Sequence, residues 1–368
     1  KSRSYDKPYY ELYENIKIFG SDKQMKVVEN SKNTVFLCVL SNTAISKIPH
    51  LTGAGGPEFT SYTPALDVEV ILRDEPLTLP EIASTDSEEL SAPSPAILAK
   101  ATIDLLDMPF IPINAGLEIA PKVPYIDLHG TPGGDLREGI GVENAEELYI
   151  NAKEIGSTLS KITDHIMIGE STPAGTTTAQ GVLTALGYDV RNKVSGCMVT
   201  NPHELKNSVV DAALEKHDIK PGDLKDDPIK AVQIAGDPTM IATAGIVMGS
   251  TVPVTLCGGT QMAAVCGIIK AMDPEFNFDN VCVATTSYVA NDETANMVDI
   301  FRQICDVSIY AADPKFENST EEGLVNYTKG CIKEGVGAGG AIFYAYLKGI
   351  TPEQYREKAE ELTRANFD

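Results

Sequence analysis

Glu334 stands immediately before the glycine run Gly335-Val-Gly337-Ala-Gly-Gly340, which leads into the apolar stretch Ala341–Leu347. A carboxylate held at such a point could face a pocket and act as a general base, its pKa raised by burial. Most glutamates are solvated surface groups, so residue type alone leaves that alternative open. A second arrangement begins at Ile166-Met-Ile-Gly169-Glu170 and continues through Gly175-Thr176-Thr177-Thr178. Gly175 would let the backbone approach a phosphate closely, and the free N–H groups and hydroxyls after it would hold that phosphate at a helix N-terminus. The same composition also makes an ordinary helix cap. Three further strand ends are read as running into a turn and then a helix: Ile234-Ala-Gly236-Asp237-Pro238, Leu256-Cys-Gly258-Gly259-Thr260 and Val283-Ala-Thr-Thr286. At the carboxyl ends of strands in an open parallel sheet, such turns gather along one edge, where ligands bind.

Other patterns carry less. Asp127-Leu-His129-Gly-Thr-Pro-Gly-Gly-Asp135 is the one tight cluster of His and Asp. It could ligate a divalent metal and support a phosphohydrolase. One histidine and two carboxylates are thin for that, and a polar loop in which Asp127 orients His129 is the leading reading. Gly335 to Gly340 formally matches G-x-G-x-x-G, but nothing strand-like precedes it and too little chain follows for a βαβ unit. The Gly175 loop lacks the Gly-Lys-Ser/Thr of a Walker A motif, and neither H-E-x-x-H nor G-x-S-x-G occurs.

The elements that must position these residues alternate between strand-like and helix-like runs. Thr34–Leu40, Val68–Leu72, Phe110–Asn114, Ala231–Ile234, Val252–Leu256 and Val281–Thr285 read as strands, apolar along their length as in a sheet covered on both faces. Helical periodicity marks a segment after Pro95 and the segments Thr176–Leu186, Glu204–His217, Thr239–Met248, Gln261–Met272, Thr294–Cys305 and Pro352–Asn366. Leu51–Pro64 and Arg73–Pro95 read as loops. The pattern predicts an α/β fold with a mostly parallel, Rossmann-like sheet carrying helices on both faces. A large domain is expected over 31–313. Residues 1–30, including the Tyr9–Ile18 segment, with 314–368 would form a small helical domain that carries the Glu334 loop.

Across 368 residues the chain has 30 basic and 52 acidic side chains, a formal charge of −22. Such a surface repels nucleic acid and anionic lipid, so neither is expected as a partner. Seven dispersed cysteines without C-x-x-C fit reduced thiols rather than a disulfide framework. No secretory signal pattern opens the sequence and no apolar stretch approaches the roughly 20 residues of a membrane helix, so a cytoplasmic protein is expected.

Taken in order, these motifs resemble a known family. Gly169-Glu170-Ser-Thr-Pro-Ala-Gly175-Thr-Thr177-Thr-Ala179 resembles the Gly-Glu-x-x-x-Gly-Asn-Thr-Thr loop of the nicotinate-nucleotide:dimethylbenzimidazole phosphoribosyltransferases. Lys333-Glu334-Gly-Val-Gly337-Ala-Gly-Gly-Ala341 is similar to their Gly-Glu-Gly-Thr-Gly-Ala-Ala segment, and the elements between follow the family's order over roughly residues 93–347. The resemblance is to a divergent, archaeal-type branch. It implies a Rossmann-like homodimer that moves phosphoribose from nicotinate mononucleotide to a benzimidazole-type base or adenine, giving the α-ribazole phosphate of the cobamide lower ligand. It implies Glu334 as the base, with Glu170, Gly175, Thr176 and Thr177 holding ribose phosphate. Gly236, Asp237, Gly258 and Gly259 would assist there, and Gly335, Gly337, Asp127 and His129 would sit near the incoming ring. No metal or cofactor is implied. A catalytically silent nucleotide-binding regulator is the non-enzyme alternative. The sequence departs from the family in a Gly-Glu loop one residue longer, in Thr176 where Asn is usual, and in Cys257-Gly258-Gly259 where Asp-Gly-Phe is usual. The N-terminal Lys-Pro-Pro-Gly-Ser-Leu-Gly signature is absent, and Thr52-Gly-Ala-Gly-Gly-Pro57 is the nearest glycine-rich loop.

Overall fold

The computed structural model describes residues 13–53, 56–79, 85–86 and 90–367. Residues 1–12 of the expected helical segment, and Ala54 and Gly55 of the Thr52–Pro57 loop, lie outside them. The strands of the main sheet are β1 (Ile16–Phe19), β2 (Thr34–Ser41), β3 (Phe110–Gly116), β4 (Ile126–Asp127), β5 (His165–Ser171), β6 (Val254–Cys257), β7 (Val281–Thr286) and β8 (Ser308–Ala312). Their order is β1-β8-β7-β6-β5-β2-β3-β4, and every pairing is parallel except β1 with β8. This is the Rossmann-like, mostly parallel α/β sheet that the alternation predicted.

Strand β2 shows why the sheet is covered twice. Val35, Leu37 and Val39 enter one core, while Phe36, Cys38 and Leu40 enter the other. A strand whose two faces are both apolar cannot leave either face in water, which forces a helical layer on each side. The chain leaves β2 toward β3 and later returns across β2 to β5, so its direction through the sheet reverses between β2 and β5. The loops at the carboxyl ends of these two strands therefore part and leave a crevice.

The helices used below are α1 (Lys23–Asn30), α2 (Thr63–Arg73), α3 (Ala96–Leu106), α4 (Ala145–Leu159), α5 (Gly175–Leu186), α6 (His203–Lys216), α7 (Pro228–Ala235), α8 (Pro238–Gly249), α9 (Thr260–Met272), α10 (Met297–Ile304), α11 (Ala338–Leu347) and α12 (Pro352–Phe367). Residues of α4 to α10 fill the Val35/Leu37 core, and residues of α1, α2, α3, α11 and α12 fill the Phe36/Cys38 core. All ten residues of α11 are buried, as its uniformly apolar composition requires. It lies on β6, β7 and β8 and against α3, and α12 packs on α3.

Three expectations are corrected. Val68–Leu72 belongs to α2 and Ala231–Ile234 to α7, not to strands. In both, a helix packs enough of its surface that its β-branched run looks like a buried strand. Each begins with Pro in the first turn, Pro64 and Pro228, a helix-start signal. The turn at Gly236-Asp237 consequently joins two helices. The N-terminal segment expected to be helical contains β1, whose pairing with β8 closes the sheet edge.

Candidate active site

A cleft opens beside the β2/β5 reversal, and Glu170, Glu334 and Asp67 lie in its walls. Glu170 ends β5 and is buried; the amide of Gln261 donates to its Oε1 at 3.1 Å, and its Oε2 has no hydrogen-bond partner among the described residues. Burial, with Asp237, Glu334 and Asp67 nearby, pushes its pKa up to about 8. Behind the cleft a much smaller space has Glu170, Thr172, Asp237, Thr239 and Gln261 in its lining. Asp237 caps α8 through Met240 N–H at 3.0 Å and accepts from the Thr178 hydroxyl, and burial raises its pKa to about 6. Glu170 thus stands between the two spaces.

Glu334 is presented by a strained turn. Ile332, Lys333 and Val336 adopt φ of 67°, 74° and 55°. This region costs a β-branched residue on the order of 1–3 kcal/mol and survives only where packing enforces it. The enforcement is visible. Lys333, buried, donates to the carbonyls of Gly196 at 3.0 Å and Met198 at 2.6 Å, and pairs with Asp292 at 3.2 Å. Ile332 N–H donates to Cys197 O at 2.8 Å, Thr286 Oγ1 to Lys333 O at 2.6 Å, and Val336 N–H to Glu170 O at 2.8 Å. The Glu334 carboxylate accepts from Gly335 N–H at 2.9 Å, from Gly339 N–H at 3.0 Å and from Thr285 Oγ1 at 3.3 Å. Burial raises its pKa to about 7, and these donors limit the rise. A carboxyl poised near neutrality in a cleft can accept a proton at ambient pH.

The cleft lining also carries a cation. Lys206 in α6 is buried, and its Nζ donates to Thr176 Oγ1 and to Ser195 O, each at 2.9 Å. Burial lowers its pKa to about 7. Thr176 lies in the first turn of α5, which starts at Gly175 after the left-handed Ala174 and has no side-chain cap. An ammonium group and an uncapped helix N-terminus therefore face the same part of the cleft, the combination that binds phosphate.

No family model matches the sequence. A UPF0284 protein of Methanothermobacter thermautotrophicus is 48% identical over 353 residues, covering 96% of this chain and 98% of that protein. UPF0284 proteins of Methanosarcina acetivorans and Pyrococcus abyssi are 42% and 41% identical, covering 92% and 89% of this chain and 97% and 96% of theirs. The chain belongs to the UPF0284 family. Among solved structures, CobT of Thermus thermophilus matches this UPF0284 chain with a TM-score of 0.59 at 12% identity, covering 96% of this chain and 94% of that one. A nicotinate-nucleotide-dimethylbenzimidazole phosphoribosyltransferase of the same organism matches with 0.55 at 14%, covering 90% and 83%. The fold is the one that the resemblance implied, and the archaeal relatives carry it in a highly divergent sequence.

Within the UPF0284 chain the expected site residues separate into two groups. Glu334, Gly335, Glu170, Gly175, Thr176 and Gly259 line the cleft. Thr177 is buried behind it, and Asp237 lines the inner cavity only. Gly236 packs against Val232, Val182 and Met240, and Gly258 against Met262, so neither faces the cleft. Gly337 has φ +78° and no room for a Cβ beside Phe36 and the backbone of Gly169; it serves packing rather than contact with a ring. Asp127 and His129 are not among the residues that line the cleft. They lie on the edge strand and the loop after it, with His129 N–H donating to Asp127 Oδ1 at 2.7 Å and its side chain 78% exposed. Asp135 is engaged by Arg137 at 2.8 Å, and no group of three His, Cys, Asp or Glu side chains able to hold a metal occurs among the described residues. Asp67, Lys206, Gln261 and Lys333 were not singled out from the sequence. Asp67 was hidden beside a run misread as a strand, and Lys206 is one of several charged residues in an otherwise ordinary helix.

Proposed function

We propose that this protein transfers phosphoribose from nicotinate mononucleotide to a benzimidazole-type base or adenine, forming an α-ribazole phosphate for the lower ligand of cobamides, and works as a homodimer. The observation that carries the reading is Glu334: a carboxyl with a pKa of about 7, fixed by three donors in a cleft whose lining also offers Lys206 and the N-terminus of α5. The names of the solved structures with the same fold point the same way.

The chemistry suits these residues. In the donor the nicotinate ring is a pyridinium, so breaking the C1′–N bond returns the bonding pair to a ring that becomes neutral and needs no acid. The acceptor is a neutral imidazole whose attacking nitrogen bonds to C1′ while its other nitrogen must lose a proton. Glu334 takes that proton and removes the positive charge developing on the ring. Attack opposite the leaving group inverts C1′ from β to α. Lys206, Thr176 and the α5 N-terminus hold the 5′-phosphate, and Glu170 takes a ribose hydroxyl. Pyrophosphate is not released, so a metal has no charge to neutralise in the leaving group.

The test is to incubate the protein with nicotinate mononucleotide, benzimidazoles and adenine in the presence of EDTA, following nicotinate and α-nucleotide by chromatography. Base-dependent release is expected, with Glu334→Gln lowering kcat at least about 100-fold, the usual contribution of a positioned base, and Lys206→Met raising KM for the mononucleotide. Mononucleotide binding with no release for any base would establish the silent regulator instead.

A further inference from the structure

Asp67 is the cleft carboxylate that the reaction scheme leaves unused. It projects from α2, and only 6% of its surface is exposed. Ser94 Oγ donates to its Oδ1 at 2.7 Å and Ser171 Oγ to its Oδ2 at 2.8 Å. Those two hydroxyls are neutral partners, and each carboxylate oxygen keeps accepting capacity beyond the one bond it has. The placement of the two serines fixes where Asp67 stands. Ser171 follows Glu170. Ser94 precedes Pro95, whose ring lies against Gly335, the residue after Glu334. Asp67 therefore shares the cleft with both glutamates, tied through Ser171 to the end of β5 and through Ser94 to the segment that packs on Gly335.

A carboxylate used only to brace the fold would be expected to find a cation or several backbone N–H donors, as Glu69 does two residues further along α2, accepting from Leu77, Thr78 and Lys122 N–H. Asp67 has neither among the described residues, and it lines the cleft. A ring edge bearing methyl groups would dehydrate this carboxylate without giving it a new partner, whereas a hydroxyl or amino substituent would supply one. A site built to accept a hydrogen bond rejects the analogue that lacks the donor far more strongly than an apolar pocket distinguishes shapes.

We propose that Asp67, held by Ser94 and Ser171, is the specificity-determining residue of the acceptor subsite and selects bases carrying a hydroxyl or amino donor on the ring over methylated ones. The inference rests on the transferase reading for the role of the ring, but its test does not require turnover. Binding of hydroxybenzimidazole and of its methyl analogue would be measured by calorimetry for the wild-type protein, Asp67→Asn and Asp67→Ser. The wild type is expected to favour the hydroxyl ring by about tenfold or more, and the ratio should fall toward one in both variants. Melting curves would establish that each variant is folded. A wild-type ratio near one, absence of binding by either ring, or a preference that survives in both folded variants would overturn the proposal. Selective binding without nicotinate release in the assay above would keep the subsite and remove the transferase reading, and release with no selectivity would do the reverse.

Discussion

A general base has to be ionised to accept a proton, and burial leaves the carboxyl of Glu334 with a pKa of about 7. Below that pH kcat/KM for the proposed transfer should fall about tenfold per unit. Lys206 imposes the opposite limb. Its own pKa of about 7, depressed by burial, means that the ammonium form which attracts phosphate is lost as pH rises. The two groups together predict a narrow bell centred near neutrality. The acid limb would belong to kcat and the alkaline limb to KM for the mononucleotide. Lys206→Arg, which cannot lose its charge in this range, should flatten the alkaline limb alone. A profile flat from about pH 6 to 8 would mean that neither side chain carries its assigned role.

At the scale of the element, the glycine run is a packing device. Gly339 has no room for a Cβ because the Thr285 backbone and the Glu334 carboxylate already occupy that space, and a Cβ on Gly340 would meet the side chain of Cys257. The run lets the start of α11 lie directly on the ends of β6 and β7, which is how Glu334 comes within reach of Thr285. Gly340→Ala is expected to destabilise by about 1–3 kcal/mol, the cost of overpacking, and Cys257→Gly should recover part of it because the obstacle is the Sγ and Cβ of that side chain. Gly339→Ala has no such remedy, since backbone blocks it, and should also displace Glu334 and abolish activity. Urea melts of the single and double variants measure both. The contrast also shows what was legible beforehand. Glu334 and Glu170 stood out because glycines and hydroxyl residues surround them in short turns. Asp67 and Lys206 lie inside helices, where a single polar residue aimed inward looks like any other point on the helical period. The strands at 34–40, 110–114 and 281–285 were readable as uninterrupted apolar runs. Val68–Leu72 and Ala231–Ile234 met the same test from inside helices, where Pro64 and Pro228 were the better guides.

The whole molecule concentrates carboxyls of raised pKa at one end of its sheet while carrying a formal charge of −22. Glu170 titrates at about 8, Glu334 at about 7, and Asp67 and Asp237 at about 6. Each folded value lies above the unfolded one, so the stability each contributes is fully present below about pH 4 and is lost as pH rises through the folded pKa. His165 works against them. It is buried between Thr34 and Thr255, its pKa lowered to about 3. Its contribution is full above about 6.5 and falls away as pH drops. Between about pH 5 and 6 four carboxyls oppose one histidine, so stability should fall with rising pH. Above about 7 Lys206, depressed from its unfolded value, gains stability with pH and offsets Glu170. Surface carboxyls held low by their partners, such as Asp135 with Arg137 and Asp299 with Lys193, act only in stronger acid. The ligand-free protein should therefore melt several degrees higher at about pH 5 than at about pH 7 and change little from about 7 to 8. Glu170→Gln, which keeps the shape and removes the titration, should shrink the difference. Mutual repulsion of the net charge acts in the same direction, but salt screens it and barely touches buried groups. Scanning calorimetry at low and high ionic strength separates the two: a difference that persists in salt and shrinks in Glu170→Gln belongs to the cleft, and a melting temperature that rises from pH 5 to 7 would mean that these carboxyls are ionised in the free protein.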